Sequence, residues 1–235
     1  MSFTLEKVVP WGRSFDEYVA MFSLSNTDLD KRILGCGDGP ASFNTELTRR
    51  GGSVVSVDPI YQFSERKIKE RILETYDQVI EQTKNNKDEF VWTHIKSIEE
   101  LGRIRMEAMN RFLEDYHNGK DRYIQAELPT LAFADEEFDL ALCSHFLFLY
   151  SEHLTVGFHI QSLKELCRIA HEVRVFPLLE LGSKKSRHLG AVVDRLNEDG
   201  YECTVEKVSY EFQREGNEML RVKSSNKANA AERYT

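Results

Sequence analysis

Cysteine is scarce in this chain and never paired. Cys36, Cys143, Cys167 and Cys203 fall far apart with no Cys-x-x-Cys among them, so a reduced, intracellular and cytoplasmic setting is the simple reading. Long apolar runs are missing as well: no stretch reaches the roughly 18 residues of a membrane-spanning helix. The amino end, Met1-Ser2-Phe3-Thr4-Leu5-Glu6-Lys7, has no basic segment leading into an apolar one. Neither secretion nor membrane spanning is expected. Positive charge is in deficit, with 31 Lys and Arg against 39 Asp and Glu and a net charge of −8 at pH 7. That balance disfavours nucleic acid as a partner, because proteins that grip a phosphate backbone carry a basic face that releases counterions. Ser144 lacks a Gly-x-Ser-x-Gly elbow, which argues against hydrolase chemistry. His145, His153 and His159 lack the spacing of a helical metal pair and have no Cys or carboxylate to complete a ligand set, so no metal site is expected. No internal repeat is present.

What the chain does contain is enough apolar material for one substantial core. With 235 residues, 41% of them hydrophobic, one domain over 1–223 with an insertion is expected rather than two domains. Residues 1–30 read as a leader in which Phe15, Val19, Met21 and Phe22 mark a short amphipathic helix after Trp11-Gly12-Arg13-Ser14. A β-α-β unit follows: a strand at 31–35, a glycine loop, a helix from Ala41 to Arg50 stopped by Gly51-Gly52, and a strand at 53–58. Residues 62–119 break the alternation. Ile68, Ile72, Tyr76, Val79 and Ile80, then Ile98, Leu101, Ile104, Met109, Phe112 and Tyr116, recur at helical spacing and predict two long helices. Ser97 and Glu100 fit a capping box at the start of the second. This helical insertion either covers the edge of a binding site, serves as scaffold, or mediates a homodimer. Beyond it come a short strand at 123–125, an almost wholly apolar and hence doubly covered strand at 138–143, and a helix at 159–170. A strand at 172–176, a helix at 187–198 and a hairpin of strands near 202–212 and 218–223, turning at 214–217, complete the pattern. The polar residues 224–235 have almost nothing to bury and read as a disordered tail.

Three segments carry the functional signal. The run Ile33-Leu34-Gly35-Cys36-Gly37-Asp38-Gly39-Pro40 ends a strand in a glycine loop, where backbone can approach a ligand closely. Asp58 closes the next strand nineteen residues after Gly39, a position from which a carboxylate accepts hydrogen bonds from two ribose hydroxyls. Pro59 and Ile60 beside it offer an apolar wall for a base. Third is Ala126-Glu127-Leu128-Pro129-Thr130-Leu131, leading into Phe138-Asp139-Leu140. The loop reads Gly-x-Gly-x-Gly with Pro40 where a dinucleotide fingerprint has its last glycine, which ranks an NAD(P)-dependent oxidoreductase third.

The joint order of these segments, over about residues 31–223, resembles that of class I S-adenosylmethionine-dependent methyltransferases. Val9-Pro10-Trp11-Gly12-Arg13-Ser14 and Ser144-His145-Phe146-Leu147-Phe148-Leu149-Tyr150 are also similar to bacterial proteins described only as methyltransferase-like. The resemblance implies a Rossmann-like α/β fold with a mostly parallel seven-stranded sheet and an antiparallel last strand. It implies S-adenosyl-L-methionine as cofactor and S-adenosyl-L-homocysteine as product, with Gly35, Gly37 and Gly39 shaping the methionine site. Asp58 with Pro59 and Ile60 would take the ribose and adenine, and Glu127 and Leu128 the adenine edge. One position departs from the family: where it commonly has an acidic residue two before the first loop glycine, this chain has Ile33, with Asp38 and Asp30 the acids nearby.

The expected reaction is in-line methyl transfer to a small-molecule acceptor, in which positioning supplies much of the rate. The family's Asn/Asp-Pro-Pro-aromatic motif for methylating amino groups of nucleic acid is absent after the fourth strand. His145 is the candidate base, because imidazole ordinarily titrates near pH 6.5; the alternative is a packed histidine among aromatic side chains. Ser144 reads as a cofactor or backbone contact. Arg13 and Trp11 either close over the ligand, Arg13 pairing with a carboxylate, or form an exposed charge beside a core indole. Tyr61 either lines the acceptor pocket or packs at the start of the insertion. A catalytically silent S-adenosylmethionine-binding scaffold is the main alternative, prompted by Ile33.

Overall fold

Residues 9–224 are described by a computed structural model. In chain order the elements are α1 (Phe15–Met21), α2 (Asn26–Leu29), β1 (Arg32–Cys36), α3 (Phe43–Arg49), β2 (Ser53–Val57), α4 (Glu65–Asn85), α5 (Ile98–Tyr116), β3 (Tyr123–Ile124) and β4 (Phe138–Ser144). There follow α6 (Val156–Ile169), β5 (Ala170–Phe176), a small ribbon of β6 (Leu179–Glu180) and β7 (Lys184–Lys185), α7 (Leu189–Glu198), β8 (Tyr201–Lys207) and β9 (Glu218–Ser224).

Strand residues that are apolar at consecutive positions require cover on both faces. In β4, Leu140 and Leu142 face one side while Ala141 and Cys143 face the other, and all four are fully buried. On the first side Ile33, Val54 and Met219 join them, packed by Phe15, Tyr18, Met21 and Phe22 of the leader and by Phe43 and Leu47 of α3. On the second, Val173, Val175, Leu220 and Val222 meet Leu163 and Leu166 of α6 and Val192 and Leu196 of α7. The sheet order is β3-β2-β1-β4-β5-β9-β8. Neighbours from β3 through β5 pair in parallel, and β9 runs antiparallel to both β5 and β8. This is the expected fold class: a mostly parallel seven-stranded Rossmann-like sheet with an antiparallel last strand. The order reverses at β1 and β4, so the carboxyl ends of these strands open the crevice where α/β sheets bind ligands.

The helix Asn26–Leu29 and the small ribbon of Leu179–Glu180 with Lys184–Lys185 were not expected from the sequence, and three further details differ. Glu100 does not close a full capping box: Ser97 Oγ accepts from the Glu100 amide at 3.1 Å, but Glu100 Oε2 accepts from the Lys96 amide at 2.7 Å, one residue before the cap. The terminal hairpin has a longer connection than 214–217, because β8 stops at Lys207 and the chain then leaves the sheet. Phe212 and Gln213 go to the insertion, where the Val91 amide donates to Phe212 O at 2.8 Å and Phe90 pairs with Gln213 in a bridge. The expected tail begins one residue too early, since Ser224 pairs with Tyr201 in the sheet; the rest of that tail, and residues 1–8 of the expected leader, lie outside the described residues. No helix among the described residues is long and apolar enough to cross a membrane.

Candidate active site

A cavity of about 710 Å³ lies at the carboxyl edge of the sheet. Gly37 and Gly39 form its floor after β1, Asp58, Pro59 and Ile60 follow β2, Glu127 and Leu128 follow β3, and Ser144 and His145 follow β4. Residues named from the sequence across a span of more than a hundred positions therefore share one space. Leader residues Trp11 and Arg13 form another wall, and Phe63, Val79, Phe90 and Leu101 bring the insertion over the site, so the insertion covers this edge.

The glycine loop is shaped by the side chain it encloses. Gly35, inside β1, is not a wall of the cavity. Its hydrogen stands where a Cβ would meet Asp38 Oδ2 at 1.8 Å, because the Asp38 carboxylate folds back beneath it. There Asp38 accepts from Tyr18 Oη at 2.7 Å and Ser56 Oγ at 2.6 Å. Burial pushes its pKa up to about 6 against those two hydrogen bonds. Gly37 and Gly39 have φ of +68° and +52°, left-handed values that favour glycine. A side chain on Gly37 would also press on Phe146, with Cβ atoms 3.0 Å apart.

Asp58 ties the loop to the end of β2. Its Oδ2 accepts from the Gly39 amide at 2.9 Å and its Oδ1 from the Ile60 amide at 2.8 Å. Burial raises its pKa, opposed by these two bonds. An ionised carboxylate has about four acceptor positions, so capacity for two ribose hydroxyls remains. Tyr61 is not a wall of the acceptor pocket: it is buried, donates to Gly39 O at 2.7 Å and stacks on Phe112 of α5. Sequence spacing left both roles open, and packing against the insertion is the one realised. Ile33 is fully buried under α1 and α3 and is not a wall of the cavity, whereas Asp38 is.

His145 sits at φ +51°, an unusual conformation for a residue with a side chain. The backbone is held there by its amide, which donates to Phe176 O at 2.7 Å. Its Nδ1 lies 3.0 Å from Ser144 Oγ and its ring meets Phe176 edge-on. Burial, then the cations Arg13 and Arg105, holds its pKa well below 6.5, leaving the imidazole neutral at neutral pH. Behind it stands a polar cluster that sequence reasoning missed. Glu17 Oε2 accepts from Arg105 Nη1 at 2.6 Å and from the Ser14 amide at 2.9 Å, and Glu17 Oε1 accepts from Tyr210 Oη at 2.7 Å. Ser14 and Glu17 form a capping box that was visible in the sequence; Arg105, 88 residues away, gave no signal there.

No family model matches the chain. Solved structures with an overall likeness include magnesium protoporphyrin IX methyltransferase from Synechocystis PCC 6803 with bound S-adenosylmethionine, at 12% identity and TM-score 0.47 over 90% of this chain and 78% of that one. A second is an S-adenosylmethionine-dependent methyltransferase from Aquifex aeolicus, at 14% identity and TM-score 0.43 over 88% of this chain and 87% of that one. In sequence, the chain is 35% identical over 217 residues to the uncharacterized protein MJ0045 of the archaeon Methanocaldococcus jannaschii, spanning 92% of this chain and 96% of that protein. With likeness of that extent, the chain belongs to the same protein family as MJ0045.

Proposed function

We propose that this protein is an S-adenosylmethionine-dependent methyltransferase with a small-molecule acceptor, within a family that extends to archaea and to the bacterial methyltransferase-like proteins it resembles. What supports the reading is one observation: the glycine loop, Asp58, Glu127 and Ser144-His145, each at the carboxyl end of a different strand, line a single cavity. The residues fit the ligand. Gly37 and Gly39 leave a cradle that a Cβ would crowd or strain, and Asp58 retains acceptor capacity for a ribose.

When bound, S-adenosylmethionine supplies a sulfonium methyl group. Gly37 and Gly39 border the methionine end, Asp58 takes the ribose hydroxyls, and Pro59, Ile60, Glu127 and Leu128 surround the adenine. Asp38 stands in for the acid that Ile33 replaces, its carboxylate already oriented by Tyr18 and Ser56. His145, neutral and hydrogen-bonded to Ser144, accepts the acceptor's proton at its free ring nitrogen. The second reading, a silent adenosyl-binding protein, draws on that same histidine, since burial and then two nearby cations make its protonation costly.

Calorimetric titration with S-adenosylmethionine, S-adenosylhomocysteine, NAD and NADP tests the proposal. Micromolar binding of the first two, lost in Asp58→Ala, is the expected result. Preference for NAD overturns it, and an intact adenosyl site with no turnover in an acceptor screen supports the silent reading.

A further inference from the structure

The charges at the end of the cavity beside His145 do not balance. Two guanidinium groups, Arg13 and Arg105, are served by one carboxylate, Glu17, which is committed to Arg105, Ser14 and Tyr210. Arg105 is fully buried. The other titratable groups near Arg13 among the described residues are Tyr18, Tyr210 and Tyr150, phenols held protonated by burial, and His145, which is neutral. Asp38 is engaged with Tyr18 and Ser56 instead. Among the described residues one positive charge is left over, on the half-buried Arg13, and removing a charge from water without a partner is costly.

Of the two guanidinium groups, Arg13 is the one that forms a wall of the cavity. Its Nη1 donates to Trp11 O, while its Nε is buried with no partner, as are Nε and Nη2 of Arg105. The position of Arg13 is fixed by the backbone: its carbonyl accepts from the Ser42 amide at 3.0 Å, and Gly12 is pressed against Pro40 O, so the segment is clamped to the glycine loop. The surrounding walls, Phe146, Leu149, Tyr150, Phe158 and Phe176, are largely apolar.

Building on the proposed function, we infer that Arg13 is a receptor for a ligand carboxylate, supplied either by the amino-acid end of the adenosyl ligand or by an acid group on an apolar acceptor. A carboxylate here would meet the part of Arg13 that lines the cavity, a planar fork of charged donors. It would also neutralise the surplus charge. The Glu17–Arg105–Tyr210 cluster holds that charge in place without consuming it.

The test compares the wild-type protein with Arg13→Met and Arg13→Lys by calorimetry. One arm titrates S-adenosylhomocysteine against methylthioadenosine, which lacks the carboxylate. The other titrates phenylpropionate against phenylpropionamide, into the free protein and into protein saturated with S-adenosylhomocysteine. Loss of a charge-assisted pair corresponds to weakening of roughly 10- to 100-fold. Weakening of S-adenosylhomocysteine alone in Arg13→Met, with a smaller loss in Arg13→Lys, assigns the carboxylate to the adenosyl ligand. Weakening of phenylpropionate alone assigns it to the acceptor. Equal effects on the carboxylates and their neutral counterparts, or no effect on either carboxylate, overturn the inference. If the wild type binds neither adenosyl compound, the proposed function fails, and the phenylpropionate arm on free protein still decides the role of Arg13. Urea unfolding guards against misfolding: removing a surplus half-buried charge leaves Arg13→Met at least as stable as the wild type.

Discussion

Asp38 and Gly35 occupy what would otherwise be the same space: the Asp38 carboxylate lies where a methyl group on Gly35 would approach Oδ2 to 1.8 Å. Gly35→Ala therefore displaces Asp38 from Tyr18 and Ser56. A cost of about 1–3 kcal/mol is expected from the overpacking, read from urea unfolding. Loss of S-adenosylhomocysteine binding should accompany it.

Stability against pH separates two buried carboxyls. Asp38 titrates at about 6 in the folded protein against an ordinary 3.8, so its contribution is fully present below pH 3.8 and is lost as pH rises through 6. The size is about 3 kcal/mol, and Asp38→Asn should abolish this slope between pH 4 and about 7 in urea unfolding.

Glu17 behaves oppositely. Burial opposes its ionisation, but Arg105, Arg13 and the Ser14 amide prevail and bring it down to about 2 from 4.5. Its stabilisation is present above pH 4.5 and is lost as pH falls toward 2. Glu17→Gln leaves Arg105 without a counter-charge and should cost about 3–5 kcal/mol at neutral pH, with the acid-side slope gone.

Asp58→Asn preserves shape and one acceptor oxygen. The fold should survive with a loss of about 1 kcal/mol from the weaker backbone bonds. Binding of S-adenosylhomocysteine should fall by roughly tenfold or more, measured by calorimetry.

Phe90 stacks on Phe212 with ring centroids 4.9 Å apart, and Trp92 meets Phe212 edge-on. Phe90→Ala should loosen the cover locally rather than globally. Hydrogen exchange is expected to accelerate at the amides of Val91 and Arg214, which donate to Phe212 O and Glu89 O at 2.8 Å each, while the β1 amides keep their protection.

The sheet was legible because its strands are buried on both faces and announce themselves as apolar runs, as in Leu140-Ala141-Leu142-Cys143. The glycine loop, Asp58 and Glu127 were legible as positions because each follows directly from a strand end. What stayed hidden depends on contacts distant in sequence. Arg105 lies on a helix full of charges, and nothing in its neighbours distinguishes it as the one that is buried. The departure of residues 208–217 toward the insertion is decided by Phe90 and Trp92, more than a hundred positions earlier. Asp38 could be read no further than as one of two acids near Ile33, because its burial depends on Tyr18 and Ser56, one on either side of it in the chain.

His145 has a bearing on how this family can change over time. A left-handed backbone there disfavours any side chain except glycine and, to a lesser degree, asparagine or aspartate. In a lineage that no longer needed an imidazole at this place, drift would run toward glycine or asparagine, since both relieve the backbone without disturbing the bond to Phe176 O. The identity of the residue at this one position across relatives thus reports whether the chemistry is still under selection, independently of whether the fold is retained.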